Sequence, residues 1–167
     1  MKLPGVAWRA MTGYDFEAVE KIAAEVHPGF FEAPEILAEK QRLYRSGAYL
    51  LEIIDRPVGY VLSHPWASGT IPALNESLGR LPENPDTYYV HDLALLPVAR
   101  RIGAAAFIVE ALAKHAAAHG FTNMSLVAVN GSQPFWERHQ FEGAYSPELV
   151  PKLLDYEPEA RLMVRSL

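Results

Sequence analysis

Cysteine is absent from this chain of 167 residues, and its absence removes several kinds of chemistry. Without thiols there is no disulfide framework, no thiolate zinc site and no cysteine nucleophile. No run of eighteen apolar residues occurs, and residues 1–5 lack an apolar signal-peptide core. The net charge is −5 and the basic residues are dispersed, which argues against a nucleic-acid surface. We therefore expect a cytoplasmic protein with no membrane partner, no nucleic-acid partner and no metal.

Half of the residues are hydrophobic, which at this length suffices for one substantial core, so we predict a single domain over residues 1–167. The connection 64–86 contains four prolines and little periodicity, and it is a candidate substrate loop. Residues 140–160 carry no clear helix or strand pattern. Apolar periodicity predicts strands at 6–11, 48–54, 58–63, 88–96, 122–129 and 161–164, and helices at 16–26, 34–44, 103–119 and 133–139.

The turn between the strand at 88–96 and the helix at 103–119 has the composition of an anion site. Two arginines, Arg100 and Arg101, precede a small-residue segment, 103–105, that lets the backbone come close to a ligand. The free amides and positive dipole end of the first helical turn would favour a pyrophosphate. The alternative is that small residues here only permit close packing of helix on sheet. The residues predicted to hold this helix against the sheet are Ile102, Ala105, Val109, Leu112 and Ala116.

Three motifs in order carry a family resemblance. Arg100, Gly103 and Ala105 match the signature Gln/Arg-x-x-Gly-x-Gly/Ala, the strand ending at 91–97 is similar to the family's fourth strand, and 130–141 is similar to its Asn…Phe-Tyr-x-x-x-Gly-Phe segment. The chain thus resembles the GNAT superfamily of acetyl-CoA-dependent N-acetyltransferases. The resemblance implies an α/β fold with a central mixed, mostly antiparallel sheet flanked by helices. It also implies acetyl-CoA as co-substrate and a tendency to form homodimers.

By resemblance, a bulged backbone at residues 93–95 would bond the pantetheine and the thioester carbonyl, and the amides of residues 101–105 would hold the pyrophosphate. Asn130 would bond the pantetheine amides, or, alternatively, only its own loop. The residues that the resemblance assigns to the coenzyme are Leu93, Ala94, Leu95, Arg100, Arg101, Ile102, Gly103, Ala104, Ala105, Asn130 and Trp136.

An amine acceptor must lose a proton before it attacks, so the reaction needs a base. His91 is the first candidate, because histidine ordinarily titrates near pH 6.5 and a similarly placed histidine occurs in arylalkylamine members of the family. By strand alternation Tyr89 shares its face, while Tyr88 and Asp92 face the other way unless a bulge shifts the phase. Asp92 is the reserve candidate. The alternative for His91 is a half-buried structural histidine.

The main departure from the family pattern is Trp136, which stands where many members have a tyrosine that protonates the departing thiolate. Indole has no accessible titration, so Tyr89, Tyr145 or water would deliver that proton. Arg101 and Gln140 are smaller departures, at positions where glycine is frequent. We expect direct transfer of an acetyl group to the amine of a small molecule or peptide. A non-catalytic acyl-CoA sensor or interaction module is the alternative that Trp136 leaves open.

Aromatic residues indicate where the acceptor could bind. Phe30 and Phe31 lie in the predicted connection between the first two helices, and His64 and Trp66 lie after the hairpin. Aromatic side chains can hold a cationic amine or an aryl group. The alternative is that these four residues cap the hydrophobic core.

Overall fold

A seven-stranded mixed sheet with helices on both faces organises the chain. The computed structural model describes residues 3–167. The elements are β1 (Val6–Ala10), α1 (Phe16–Val26), α2 (Pro34–Leu43), β2 (Ala48–Ile53), β3 (Arg56–Trp66), β4 (Thr87–Leu95), α3 (Ala104–Ala118), β5 (Asn123–Ala128), α4 (Gln133–Arg138), β6 (Glu142–Gly143), α5 (Val150–Tyr156) and β7 (Arg161–Ser166).

The strand order is β1-β2-β3-β4-β5-β7-β6, and β4–β5 is the parallel pair, crossed over by α3. This confirms the predicted α/β class with a mostly antiparallel sheet. The apolar faces of α1 and α2 cover β2 and β3 on one side, around Leu37, Leu50 and Leu62. On the other side α3 packs on β4 and β5. These three helices bury apolar side chains against a strand surface, and so hold the sheet in place.

The strands β4 and β5 pair over only two positions, Tyr88 with Met124 and Tyr89 with Ser125. Beyond Tyr89 the two strands continue without pairing, β4 to Leu95 and β5 to Ala128. A sheet that separates in this way leaves a cleft between its strands and a β4 edge with no β5 partner. A large cavity lies in this cleft.

A bulge interrupts the pairing of β3 with β4. Leu62 pairs with Asp92 and Ser63 with Val90, which leaves His91 as the extra residue. The expected bulge at residues 93–95 was therefore wrong in position by two residues. Because an inserted residue reverses the alternation that follows it, Asp92 turns to the same side of the sheet as His91.

The remaining differences concern short or irregular segments. β3 runs on to Trp66, so the long connection begins at residue 67. Residues 140–160, which carry no clear pattern in the sequence, contain β6 and α5; β6 is only two residues long, and α5 is short and includes a proline. The connection itself is fastened to α2, because Glu39 accepts hydrogen bonds from the amides of Leu78 and Gly79.

In the described part of the chain, none of the helices has the length and hydropathy needed to cross a bilayer.

Candidate active site

A cavity of about 930 Å³ runs through the cleft between β4 and β5. At one end it meets the turn before α3, with Arg100, Arg101 and Gly103 in its wall. At the other end the wall is made by the loop between α1 and α2 and by the bulged part of β4. The same space therefore joins the predicted anion site to the candidate base.

The turn before α3 has the backbone that a bound anion requires. Gly103 has φ +82°, a conformation that favours glycine, and no atom lies within 4 Å of where its Cβ would stand. The first backbone bond of α3 runs from the amide of Phe107 to the carbonyl of Gly103, at 3.0 Å. The amides of residues 104–106 consequently have no partner within the helix. Arg101 is also left-handed, with φ +63°, which gives a physical reason why glycine suits that position.

Arg100 and α3 are both held firmly. The Nε of Arg100 donates to the carbonyl of Leu95 at 3.1 Å, which ties the turn to the end of β4. The indole of Trp8 donates to the carbonyl of Ala104 at 3.0 Å, which fixes the start of α3. The set of residues predicted to pack α3 against the sheet differs from the structure at the first turn, since Ile102 and Ala105 are only half-buried. The buried residues of α3 are Ala104, Ile108, Val109, Leu112, Ala113 and Ala116.

The other residues assigned to the coenzyme divide between cavity wall and core. Leu93, Leu95, Asn130 and Trp136 line the cavity, as do Arg100, Arg101 and residues 103–105. The side chain of Ala94 is buried in the core under α1 and α2, and Ile102 is outside the lining. A role for either would have to use the backbone. Trp136 is buried with its ring edge-on to Phe135 and Phe141.

His91 is paired with a carboxylate that the sequence did not suggest. Its Nε2 lies 2.7 Å from Oε1 of Glu32, which comes from the loop between α1 and α2. Both residues line the cavity. Burial alone would raise the pKa of Glu32, but the charge and hydrogen bond of His91 outweigh burial and hold that pKa below its ordinary value. The arrangement is a histidine–carboxylate pair, able to accept a proton and to stabilise the resulting charge.

Asp92 takes part in a separate cluster. It accepts a hydrogen bond from Tyr60, and its Oδ1 lies 2.9 Å from Nε2 of His27. Burial would raise the pKa of Asp92, but the hydrogen bond and charge of His27 outweigh it and lower the pKa. Burial likewise opposes protonation of His27, yet Asp92 raises its pKa above the ordinary value. A carboxylate pinned by two partners is poorly placed to abstract a proton from a substrate.

Two tyrosines reach the cavity, and a third does not. Tyr89 lines it, and burial raises the pKa of its phenol well above the ordinary value. Tyr156, from α5, also lines it and donates to the carbonyl of Pro72 at 2.5 Å. Tyr145 is exposed and lies outside the cavity wall, so it is badly placed to protonate a thiolate there.

The four aromatic residues predicted to contact the acceptor are scattered. Phe30 lines the cavity, while Phe31 is exposed outside it. His64 is fully buried on β3 and packs between Trp66, Tyr89 and His91. Neither His64 nor Trp66 belongs to the lining, which favours the alternative that they complete the core.

The residues that sequence reasoning missed come mainly from the loop between α1 and α2. His27, Glu32 and, on α5, Tyr156 all line the cavity. A signal existed for the first two: a histidine and a glutamate flank the Pro28-Gly29 break and the two phenylalanines. Nothing in the sequence indicates that this loop lies over the bulge of β4, because Glu32 and His91 are 59 residues apart.

Comparisons with known proteins identify the family and the fold of the chain. A family model described as the acetyltransferase (GNAT) family matches residues 16–141. A search of curated protein sequences finds no match to the chain. Among solved structures, the loading GNATL domain of CurA from Lyngbya majuscula superposes with a TM-score of 0.75 at 14% identity, over 96% of this chain and 97% of that chain.

Two further structures were solved with coenzyme derivatives. The GphF GNAT-like decarboxylase in complex with isobutyryl-CoA has a TM-score of 0.75 at 15% identity, covering 96% of this chain and 98% of its own. Arabidopsis thaliana Naa50 in complex with the bisubstrate analogue CoA-Ac-MVNAL has a TM-score of 0.70 at 14% identity, covering 98% and 99%. At these identities the likeness establishes the fold. Together with the family match over most of its length, it shows that this chain belongs to the acetyltransferase (GNAT) family.

Proposed function

We propose that the protein is an N-acetyltransferase that moves an acetyl group from acetyl-CoA directly to a primary amine. One observation carries the proposal: a single cavity connects an anion-binding turn, the open edge of β4 and a buried histidine–carboxylate pair. A pyrophosphate, a thioester and an amine need these three environments in that order.

The coenzyme end is assigned to the turn before α3. The free amides of residues 104–106 and the positive end of the helix dipole would hold the pyrophosphate, and Arg100 and Arg101 add charge. The thioester would lie along β4 from Val90 to Leu95, where the strand has no β5 partner. Main-chain donors on that edge would stabilise the oxyanion as it forms. The bisubstrate analogue in Naa50 joins CoA to a peptide, which is consistent with an acceptor approaching from the opposite end.

The acceptor end is assigned to the loop between α1 and α2. Glu25, Glu32 and Asp92 line this part of the cavity, whereas the arginines of the lining belong to the turn and to α4. Lys40 pairs with Glu32 and His27 with Asp92, so the three carboxylates outnumber the two cations beside them, and this excess favours a cation over a carboxylate on the substrate. The acceptor we infer is therefore an amine with no neighbouring carboxylate, as in a small monoamine or a peptide N-terminus. Phe30 and Tyr156 would contact its apolar part.

The reaction balances without a covalent enzyme intermediate. His91 takes one proton from the ammonium group of the acceptor, and the free amine attacks the thioester carbonyl carbon. The resulting tetrahedral intermediate loses a second proton from nitrogen as the carbon–sulfur bond breaks. That proton ends on the CoA thiolate, with Tyr89 or water as the carrier, and the proton held by His91 leaves to solvent. A thiol pKa near 8.5 makes the thiolate an acceptable leaving group even without a dedicated acid.

Binding and turnover test the two halves of the proposal. Acetyl-CoA at about 100 times its Kd should stabilise the fold by about 2.7 kcal/mol, which at this size raises Tm by roughly 5–10 °C. In a panel of amines with and without an adjacent carboxylate, the enzyme should release CoA from acetyl-CoA mainly with the amines that lack the carboxylate. If acetyl-CoA binds but no amine or peptide causes release of CoA, the result would support the acyl-CoA sensor instead. If acetyl-CoA does not bind, both proposals are overturned.

A further inference from the structure

We propose that Glu32 is a positioning residue that holds His91 with its proton on Nε2, so that Nδ1 is the atom that accepts the proton of the acceptor amine. This inference rests on the proposed function and deepens it, since it specifies which nitrogen reacts and what orients it. Glu32 acts here only through His91.

The carboxylate of Glu32 is fixed on both oxygens. Oε1 lies 2.7 Å from Nε2 of His91, and Oε2 accepts the backbone amide of Asn75 at 3.1 Å. The side chain of Asn75 returns a bond, accepting the amide of Ala33 at 2.8 Å. The long connection after β3 thus clamps the loop that carries Glu32. The carboxylate cannot rotate away from His91 without breaking these contacts.

A buried cation stands behind the pair. The ammonium of Lys40 lies 3.8 Å from Oε2 of Glu32, and its side chain is 0% exposed, against 7% for Glu32 and 3% for His91. Burial lowers the pKa of Lys40, although the charge of Glu32 opposes that shift. A charge buried this deeply is costly unless an opposite charge lies close to it, and among residues 3–167 the carboxylate in an ion pair with Lys40 is that of Glu32. Lys40 helps to keep Glu32 ionised.

The tautomer follows from the chemistry of the two groups. An ionised carboxylate only accepts hydrogen bonds, so Nε2 must donate the 2.7 Å bond and carry the proton. A neutral imidazole has one ring proton, which leaves Nδ1 as the lone-pair nitrogen. Nδ1 is buried and has no hydrogen-bond partner among residues 3–167. His91 lines the cavity and no group of the described chain occupies this lone pair, so Nδ1 is the ring atom left to accept a proton.

The second histidine–carboxylate pair fits this role less well. Asp92 raises the pKa of His27, which favours the protonated form that cannot act as a base. The Nδ1 of His27 also lies 3.5 Å from the amide nitrogen of Asn130, on the far side of the cleft. Both ring nitrogens of His27 therefore lie near polar groups, of Asp92 and Asn130, whereas Nδ1 of His91 has no hydrogen-bond partner among the described residues.

A double-mutant cycle tests the inference. The variants are Glu32→Gln, His91→Ala and both together, with the exposed Glu17→Gln as control. A glutamine in place of Glu32 can donate to Nε2 and so move the ring proton to Nδ1. We expect kcat to fall about 100-fold in Glu32→Gln and by 10²–10⁴ in His91→Ala, with the Kd for acetyl-CoA unchanged within about 2-fold. In the His91→Ala background, Glu32→Gln should cost less than about 2-fold more.

Nitrogen NMR of the imidazole ring gives a readout that needs no turnover. At a pH where His91 is neutral, the wild-type protein should show a protonated Nε2 and an unprotonated Nδ1, and Glu32→Gln should show the reverse. The inference would be overturned if the losses of kcat in the double-mutant cycle were additive, or if the wild-type ring of His91 were protonated on Nδ1. Either result would leave the acetyltransferase proposal standing. Absence of turnover with every amine overturns both.

Discussion

His64 provides a sharp test of how the core beside the active site is built. It lies on β3, is 0% exposed, and donates from Nδ1 to the carbonyl of Pro65 at 2.9 Å. Its Nε2 is buried without a partner among the described residues. Burial, aided by the nearby charge of His91, lowers the pKa of His64 from 6.5 to about 3. His64 should therefore stay neutral in the folded protein throughout the pH range in which the fold is stable.

The pH dependence follows from the difference between folded and unfolded chains. A histidine whose pKa is lower in the folded than in the unfolded chain does not change stability above pH 6.5. Below pH 6.5 it destabilises the fold, because only the unfolded chain then takes up the proton. Each pH unit between the two pKa values costs about 1.4 kcal/mol. At pH 5, roughly 1.5 units below the unfolded value, the wild-type protein should have lost about 2 kcal/mol through His64 alone.

His64→Gln should remove this loss, because glutamine can donate to the Pro65 carbonyl but does not titrate. The free energy of unfolding from urea titrations at pH 7.5 and pH 5.0 gives the pH-dependent loss for each protein. We expect the loss to be about 2 kcal/mol smaller in His64→Gln than in the wild type. The exposed His119→Gln serves as control and should leave the loss unchanged.

An equal pH-dependent loss in His64→Gln and wild type would show that His64 is not buried neutral, and the described packing of β3 would be wrong. The same variant decides the acceptor question. If His64 completes the core, KM for the amine should stay within about 2-fold of wild type at pH 7.5. A large rise in KM with unchanged stability would instead place His64 in the acceptor site.

Three further outcomes concern the coenzyme end. Gly103→Ala should lower the free energy of unfolding by about 1–2 kcal/mol and should also weaken acetyl-CoA binding, measured by calorimetry. The control is Gly120→Ala, which is also at positive φ but lies at the other end of α3 and should lower stability only. Arg100→Ala should raise the Kd for acetyl-CoA about 5- to 20-fold while kcat at saturation is kept, and an equal fall in kcat would argue against a pure binding role. Trp136→Phe should cost roughly 1–2 kcal/mol of stability and change kcat less than about 3-fold, since indole is no acid; a kcat loss above about 10-fold would contradict this.

The features of this protein that could be predicted from the sequence are those formed by residues close together in the chain. The turn before α3 could be located because its function depends on neighbours in the chain: a strand, two arginines, a glycine and a helix start. Alternating and helical apolar patterns located most of the strands and helices, and the resemblance to the family implied how they are arranged. The same patterns failed for α5 and β6, which are short and interrupted by proline or glycine.

The acid–base groups were decided by tertiary structure. His91 could be proposed from its strand, but its partner Glu32 lies 59 residues away in sequence, and only the packing of α1 and α2 over β4 brings the two within 2.7 Å. The bulge at His91 is equally invisible in the sequence, since it arises from the register of β3 against β4. It turns Asp92 toward Tyr60 and His27 and thereby ties up a carboxylate that alternation had placed on the opposite face. Residues that act within one turn of chain can be recognised locally, whereas a hydrogen-bonded pair across two layers exists only once the sheet and its helices have packed.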